Sequence, residues 1–149
     1  MNDEDIGRYL YRLEAKLLKE SKVRVSLSHS WANSFPAKPG VYIAYKGKVI
    51  VYVGETGNVR GRMRDLLDSR HHTLRRHIGK SNFSNLKGYR DATSKNKFPS
   101  HIENKVNLWI KKNILIAAVI IRLGRKELEE RMVKKFVPSY NKKGERVSA

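Results

Sequence analysis

The sequence predicts an α+β domain: a small, mainly antiparallel three-stranded sheet flanked by helices, with an N-terminal helical extension. Three observations lead there. Val41 to Tyr45 and Lys48 to Val53 are dense in β-branched and aromatic residues, and only Lys46-Gly47 separates them, which is the pattern of a tight hairpin. Ile114 to Ile121 is one short apolar run bounded by Asn113 and Gly124, as expected of a buried central strand. Around these, several stretches repeat apolar residues at helical spacing. Strand and helix alternate too sparsely for a doubly wound parallel sheet.

Residues 4–20 carry Ile6, Leu10, Leu13, Leu17 and Leu18 on one helical face, with acids at the N-terminal end where the helix dipole favours them. Val23, Val25 and Leu27 alternate with polar residues, as in a short edge strand. Trp31, Phe35, Pro36 and Pro39 mark an irregular connection. In the hairpin, Gly47 takes the positive φ that a two-residue turn needs. Gly54 to Asn58 then ends the sheet, and Asn58 caps a helix with Val59, Met63, Leu66 and Leu67 on one face. A short helix is expected around Thr73 to Ile78, and a polar loop from Ser81 to Pro99. His101 to Lys112 returns to helical spacing through Ile102, Val106 and Trp109. Lys126 to Phe136 forms the last helix, which Val137-Pro138 stops.

The charge narrows the function. Among 149 residues, 32 Lys and Arg face 14 Asp and Glu, a net charge of +18. Self-repulsion at that level disfavours the compact state, so a polyanionic partner is expected. Nucleic acid fits best, because neutralised phosphates release counterions. With no cysteine, disulfides, zinc–thiolate sites and thiol nucleophiles are excluded. The opening Met-Asn-Asp-Glu-Asp has the wrong charge for a secretory signal, and Ile114 to Ile121 is too short to span a bilayer. A cytoplasmic protein with no membrane partner is expected.

Four side chains attract attention. A two-residue turn between Tyr45 and Lys48 would set Tyr42 across from Val51, with Tyr52 one step beyond, so the two phenols lie close at the open end of the hairpin. Gly54 would let the backbone turn at once and leave room for a phosphate. Arg62 sits one turn into the next helix and can reach back over the strand ends. Glu129, beside Leu128, borders the core. Taken singly, each has a common structural alternative: a packed tyrosine, a solvated arginine, a surface glutamate.

Together these residues resemble a family. Gly40-Val41-Tyr42, nine residues, then Tyr52-Val53-Gly54 resembles the GIY-YIG nuclease signature at the short end of its spacing. Glu55-Thr56-Gly57-Asn58-Val59 leads to Arg62, similar to the family's helix arginine. Glu129 with Met132-Val133, then Pro138-Ser139-Tyr140-Asn141, is similar to its glutamate helix and closing Pro-x-Tyr-Asn. The resemblance divides the chain into an extension and connection over 1–37, a GIY-YIG-like nuclease domain over 38–141 and a polar tail over 142–149.

The resemblance implies a metal-dependent endonuclease that hydrolyses DNA phosphodiester bonds, with Mg²⁺ as cofactor and Mn²⁺ able to substitute. Glu129 would hold the cation through oxygen. Arg62 would donate to the nonbridging oxygens, where its fork suits phosphate. Tyr42 would act as general base or water positioner, Tyr52 would orient water or phosphate, and Asn141 would pin the site from the C-terminal side. Gly40 and Gly54 would shape its backbone. One departure stands out: where several members carry a His one turn after the arginine, this chain has Leu66. His71, His72 and His77 are the alternatives, and a His metal site is rejected because His72 and His77 are five apart rather than four. Arg60, Arg64, Arg75, Arg76 and Lys80 are expected to contact the DNA backbone, as are Lys87 and Arg90. Double-stranded DNA is the expected partner, and a homodimer would suit symmetric cutting of both strands. The competing reading is a catalytically silent DNA- or RNA-binding protein on the same fold.

Overall fold

A computed structural model of the chain describes residues 2–141, so the expected polar tail at 142–149 lies outside the described residues. The elements in chain order are α1 (Asp3–Lys19), β1 (Val23–Arg24), α2 (His29–Asn33), β2 (Gly40–Lys46), β3 (Val49–Thr56), α3 (Val59–Asp65), α4 (Thr73–Phe83), α5 (Ser100–Asn113), β4 (Ile114–Ile120) and α6 (Arg125–Phe136). The sheet has four strands, not three. Its order is β1-β4-β2-β3, antiparallel throughout. The added strand is the expected edge segment, of which only Val23 and Arg24 pair, with Ile116 and Leu115.

Helices cover both faces of the sheet. Val41, Ile43 and Tyr45 of β2 point to one face and pack with Leu17 of α1 and with Leu128 and Met132 of α6. Tyr42 and Ala44 point to the other and pack with Met63 of α3, Ile78 of α4 and Val106 of α5. β2 is therefore buried from Gly40 to Tyr45. Each fully buried Val, Ile or Leu contributes roughly 1.5–3 kcal/mol relative to exposure. Glu14 of α1 is buried and receives Arg131 at 3.2 Å and Lys135 at 2.6 Å, both from α6. That pairing fixes α1 against the helix that carries Glu129.

The hairpin departs from the expected register. Its loop is Gly47-Lys48, between paired Lys46 and Val49, with Gly47 at φ +61°. A positive φ at the first loop residue is the II′ arrangement that suits the strand twist. Further on, the register shifts between Ala44 and Tyr45: Tyr45 faces Ile50, whereas Ala44 faces Tyr52. Val51 is the extra residue of a β-bulge. Tyr42 therefore pairs with Gly54 and not with Val51. β3 also continues through Gly54 and Glu55 to Thr56, where an end of the sheet was expected.

The bulge has a direct consequence. Opposed residues share a face and successive residues alternate. Without the extra residue Tyr52 would oppose Ile43 and face α6. With it, Tyr52 opposes Ala44 and shares the face of Tyr42.

Candidate active site

The two phenols meet at 6.0 Å between ring centroids, tilted by 34°. Both residues are 1% exposed. The place where a Cβ of Gly54 would sit is taken by the Tyr42 ring, 2.5 Å from Oη and 2.7 Å from Cε1. The space expected for a phosphate at Gly54 thus holds Tyr42 itself. Gly40 is constrained in the same way, since its Cβ would lie 2.5 Å from the Val119 carbonyl oxygen and 2.7 Å from Val59 Cγ2.

Arg62, in the last turn of α3, lies beside both phenols, and its side chain keeps part of its surface in solvent. Asn58 starts that helix by accepting the Gly61 N–H at 3.0 Å. Arg62 Nη1 donates to the His71 carbonyl at 2.8 Å and to Asp65 Oδ2 at 3.3 Å, which hold the guanidinium in place. Burial pushes the Tyr42 hydroxyl well above its ordinary pKa, and Tyr52 adds to this, while Arg62 opposes it. Burial also raises Tyr52, against Arg62 and the hydrogen bond from Tyr42. At neutral pH both are phenols.

A third ring completes the cluster. His72, just ahead of α4, is fully buried and its Nε2 lies 3.0 Å from Tyr42 Oη. Its ring centroid is 6.0 Å from that of Tyr42 and 5.8 Å from that of Tyr52. Sequence spacing pointed here only as one of three histidines. The signal that could have separated it is its position before Thr73, where it caps α4. Leu66, in the place of the family's histidine, is buried in the core.

Glu129 and Asn141 reach the site from the other side of β3. Glu129 is 1% exposed, and its Oε2 accepts the Glu55 N–H at 2.8 Å. The Asn141 amide binds both backbone groups of Val53, accepting from N at 2.9 Å and donating to O at 3.0 Å. Tyr140 N donates to the Val51 carbonyl at 2.9 Å. Asn141 thus holds β3 through the backbone of Val53, on the C-terminal side of the site. The reversal that brings it there follows Val137, a β-branched residue held at φ 45°, ψ 59°. Such a conformation costs on the order of 1–3 kcal/mol. Glu55, mostly buried, pairs with Arg125 at 3.3 Å.

The expected DNA contacts divide. Arg75 is a correction. It is 1% exposed and donates to Ser69 Oγ at 2.7 Å, Glu103 Oε2 at 2.6 Å and Asn107 Oδ1 at 2.6 Å, with Ser69 also bonded to Glu103. A guanidinium so enclosed cannot reach a phosphate; it joins α4 to α5. Arg60 donates from Nε to the Phe35 carbonyl at 2.8 Å, and Arg76 from Nη1 to the Arg70 carbonyl at 2.8 Å, each with part of its surface exposed. Arg64, bonded to Asn33 at 3.0 Å, is exposed, as are Lys80, Lys87 and Arg90. Among the described residues, no helix is long and apolar enough to cross a membrane.

Known proteins are similar to this chain in sequence profile and in structure. The profile of the GIY-YIG catalytic domain matches residues 28–148. The chain is also similar to two solved structures of the GIY-YIG N-terminal endonuclease domain of UvrC from Thermotoga maritima. One, a Tyr-to-Phe variant bound to its catalytic divalent cation, is 16% identical with a TM-score of 0.42, over 89% of this chain and 97% of that one. The other, bound to magnesium, is 16% identical with a TM-score of 0.41, over 88% and 97%. No curated protein sequence matches.

Proposed function

The chain belongs to the GIY-YIG family of nuclease domains and is an endonuclease of that type, and from that premise we propose that it hydrolyses double-stranded DNA with a divalent cation, Mg²⁺ or Mn²⁺. The observation that carries this reading is the convergence of Tyr42, Tyr52, Arg62 and Glu129 on one end of β3, from two faces of the sheet. A binding module requires none of these four as a set.

The donor set fits a small, hard cation. Glu129 offers carboxylate oxygen, and no group of three or more His, Cys, Asp or Glu able to hold a metal occurs among the described residues. Mg²⁺ suits such a site because it keeps several waters and takes one or two carboxylates. When bound, the cation supplies Lewis-acid charge to the phosphoryl oxygens. Arg62 directs a fixed fork of donors at the same charge as it grows in the transition state. Tyr42 and Tyr52 remain protonated at neutral pH, so they act first as positioning hydroxyls, and any base role for Tyr42 draws on Arg62 to favour the phenolate. Asn141 and the Glu129–Glu55 bond keep β3 in register under the site.

The test is cleavage of supercoiled plasmid at low salt by the wild type and by Glu129→Gln, with Mg²⁺, with Mn²⁺ and with chelator. Gln keeps an oxygen for the Glu55 N–H and removes the charge. Nicked or linear DNA is expected only for the wild type with metal. Equal cutting by both proteins removes Glu129 from the mechanism. Binding by the wild type with no cutting of any DNA form would leave a silent binding domain.

A further inference from the structure

His72 carries two hydrogen bonds whose directions are coupled. The Leu74 backbone N–H points at His72 Nδ1 at 3.2 Å, which is the side-chain cap of α4. A backbone N–H can only donate, so Nδ1 must present its lone pair. In a neutral imidazole the proton then sits on Nε2. Nε2 is the nitrogen 3.0 Å from Tyr42 Oη. We infer that His72 is a positioning residue of the active site: its tautomer, locked by the α4 cap, makes Nε2–H a permanent donor to the Tyr42 hydroxyl oxygen. This rests on the nuclease reading only for its consequence in cleavage; the hydrogen-bond direction stands by itself.

Three further observations agree. Helix caps are usually met by the short side chains of Ser, Thr, Asp or Asn. An imidazole is larger than the cap requires, but it has a second nitrogen on the far side of the ring, and that one reaches 30 residues back to β2. Next, His72 is enclosed. Tyr42 and Tyr52 face it from β2 and β3, Arg62 from α3, and Arg75 and Arg76 from α4. Burial, then Arg62, Arg76 and Arg75, hold its pKa well below the ordinary histidine range. Finally, a doubly protonated ring would turn an Nδ1–H into the Leu74 N–H. His72 is therefore no base for Tyr42. It fixes the rotation of the hydroxyl, so that the Tyr42 proton points away from His72 and toward the Tyr52 side of the site.

Two measurements decide this, and only one needs DNA. Nitrogen-edited NMR of the imidazole should show Nε2 protonated and Nδ1 bare from about pH 5 to about pH 8, where a free histidine titrates. In Tyr42→Phe the Nε2–H proton resonance should move upfield as its acceptor is lost. An Nδ1–H tautomer, a ring that titrates in that range, or no response to Tyr42→Phe would each overturn the inference, whether or not the protein cuts DNA. In cleavage, His72→Asn keeps a short cap acceptor for Leu74 but cannot reach Tyr42. It should lower the melting temperature by several degrees, because a buried ring and a buried hydrogen bond are lost, while keeping the wild-type KM and losing about 10-fold or more in kcat. A wild-type kcat in His72→Asn would refute the positioning role. If the wild type itself fails to cut, the nuclease reading falls while the NMR result still decides the donor.

Discussion

Replacing Gly54 with alanine puts the packing of the two phenols under direct test. Gly54 is not at a positive φ, so its backbone accepts any L-residue. On backbone entropy alone, Gly→Ala in a strand should stabilise by roughly 0.5–1 kcal/mol. Sterics oppose this. The new Cβ would lie 2.5 Å from Tyr42 Oη and 2.7 Å from Cε1. To restore an ordinary contact of 3.5–4.0 Å the ring must retreat by about 1 Å. It has nowhere free to go, because it is fully buried between Met63, Ile78 and the Tyr52 ring. Overpacking of this kind costs about 1–3 kcal/mol, which exceeds the backbone gain. A net loss of about 1–2 kcal/mol follows, or roughly 2–8 °C in Tm for a chain of this size. A retreat of that size also shifts Oη relative to His72, with which it now bonds at 3.0 Å. Cleavage should fall by about 10-fold or more.

The assay is urea unfolding of four proteins: wild type, Gly54→Ala, Tyr42→Ala and the double variant. If the ring is the obstacle, Gly54→Ala is destabilising in the wild type and neutral or stabilising once Tyr42 is truncated, a coupling of about 1–3 kcal/mol. An equal loss in both backgrounds would refute the clash and with it the account of why glycine faces Tyr42.

Two further outcomes follow from burial. Arg75→Met leaves the Glu103 carboxylate without its buried partner and should cost about 3–5 kcal/mol in denaturant unfolding, whereas Lys80→Ala leaves stability unchanged and reduces the salt dependence of DNA binding by about one unit of slope; the reverse pattern would return Arg75 to the DNA surface. The depressed pKa of His72 makes stability fall in acid. The unfolded chain takes up its proton below about pH 6.5 and the folded chain does not, so the contribution is complete above that value and declines below it. Wild type should lose about 1.4 kcal/mol more than His72→Asn for each pH unit below about 6, and parallel stability curves would count against a neutral buried ring.

Local pattern made much of this fold legible. Leu10, Leu13 and Leu17 fixed the face of α1, and the lone apolar run after Asn113 marked β4. The family signature named Tyr42, Tyr52, Arg62 and Glu129, and the structure brings those four together. What remained hidden was non-local or lacked alternation. Register is readable when one face is polar. In Ile50-Val51-Tyr52-Val53 both faces are apolar, so the Val51 bulge leaves no trace in the sequence, although it alone decides which face Tyr52 joins. Gly54 reads as a breaker, because nothing nearby in sequence announces that a ring from another strand will cover it. Arg75 reads as a surface cation because Glu103 and Asn107, one turn apart on α5, are 28 and 32 residues away.

The residues at the C-terminal end of the site serve the sheet and the chemistry at once. β3 is the last strand in the order, so its outer backbone groups would invite pairing with another chain. They are closed two residues at a time: Val51 O by Tyr140, both groups of Val53 by the Asn141 side chain, and Glu55 N by Glu129. The proposed metal ligand is thus also a backbone partner of the strand that carries Tyr52. Truncating Glu129 to alanine would leave the Glu55 N–H without this partner as well as removing a carboxylate. Loss of activity in that variant could not be assigned to either cause, whereas glutamine separates charge from hydrogen bonding. The same logic explains the strained turn at Val137. The left-handed conformation there is offset by the bonds that Tyr140 and Asn141 make to β3, so the strain is retained because it returns the chain to the edge where the site is built.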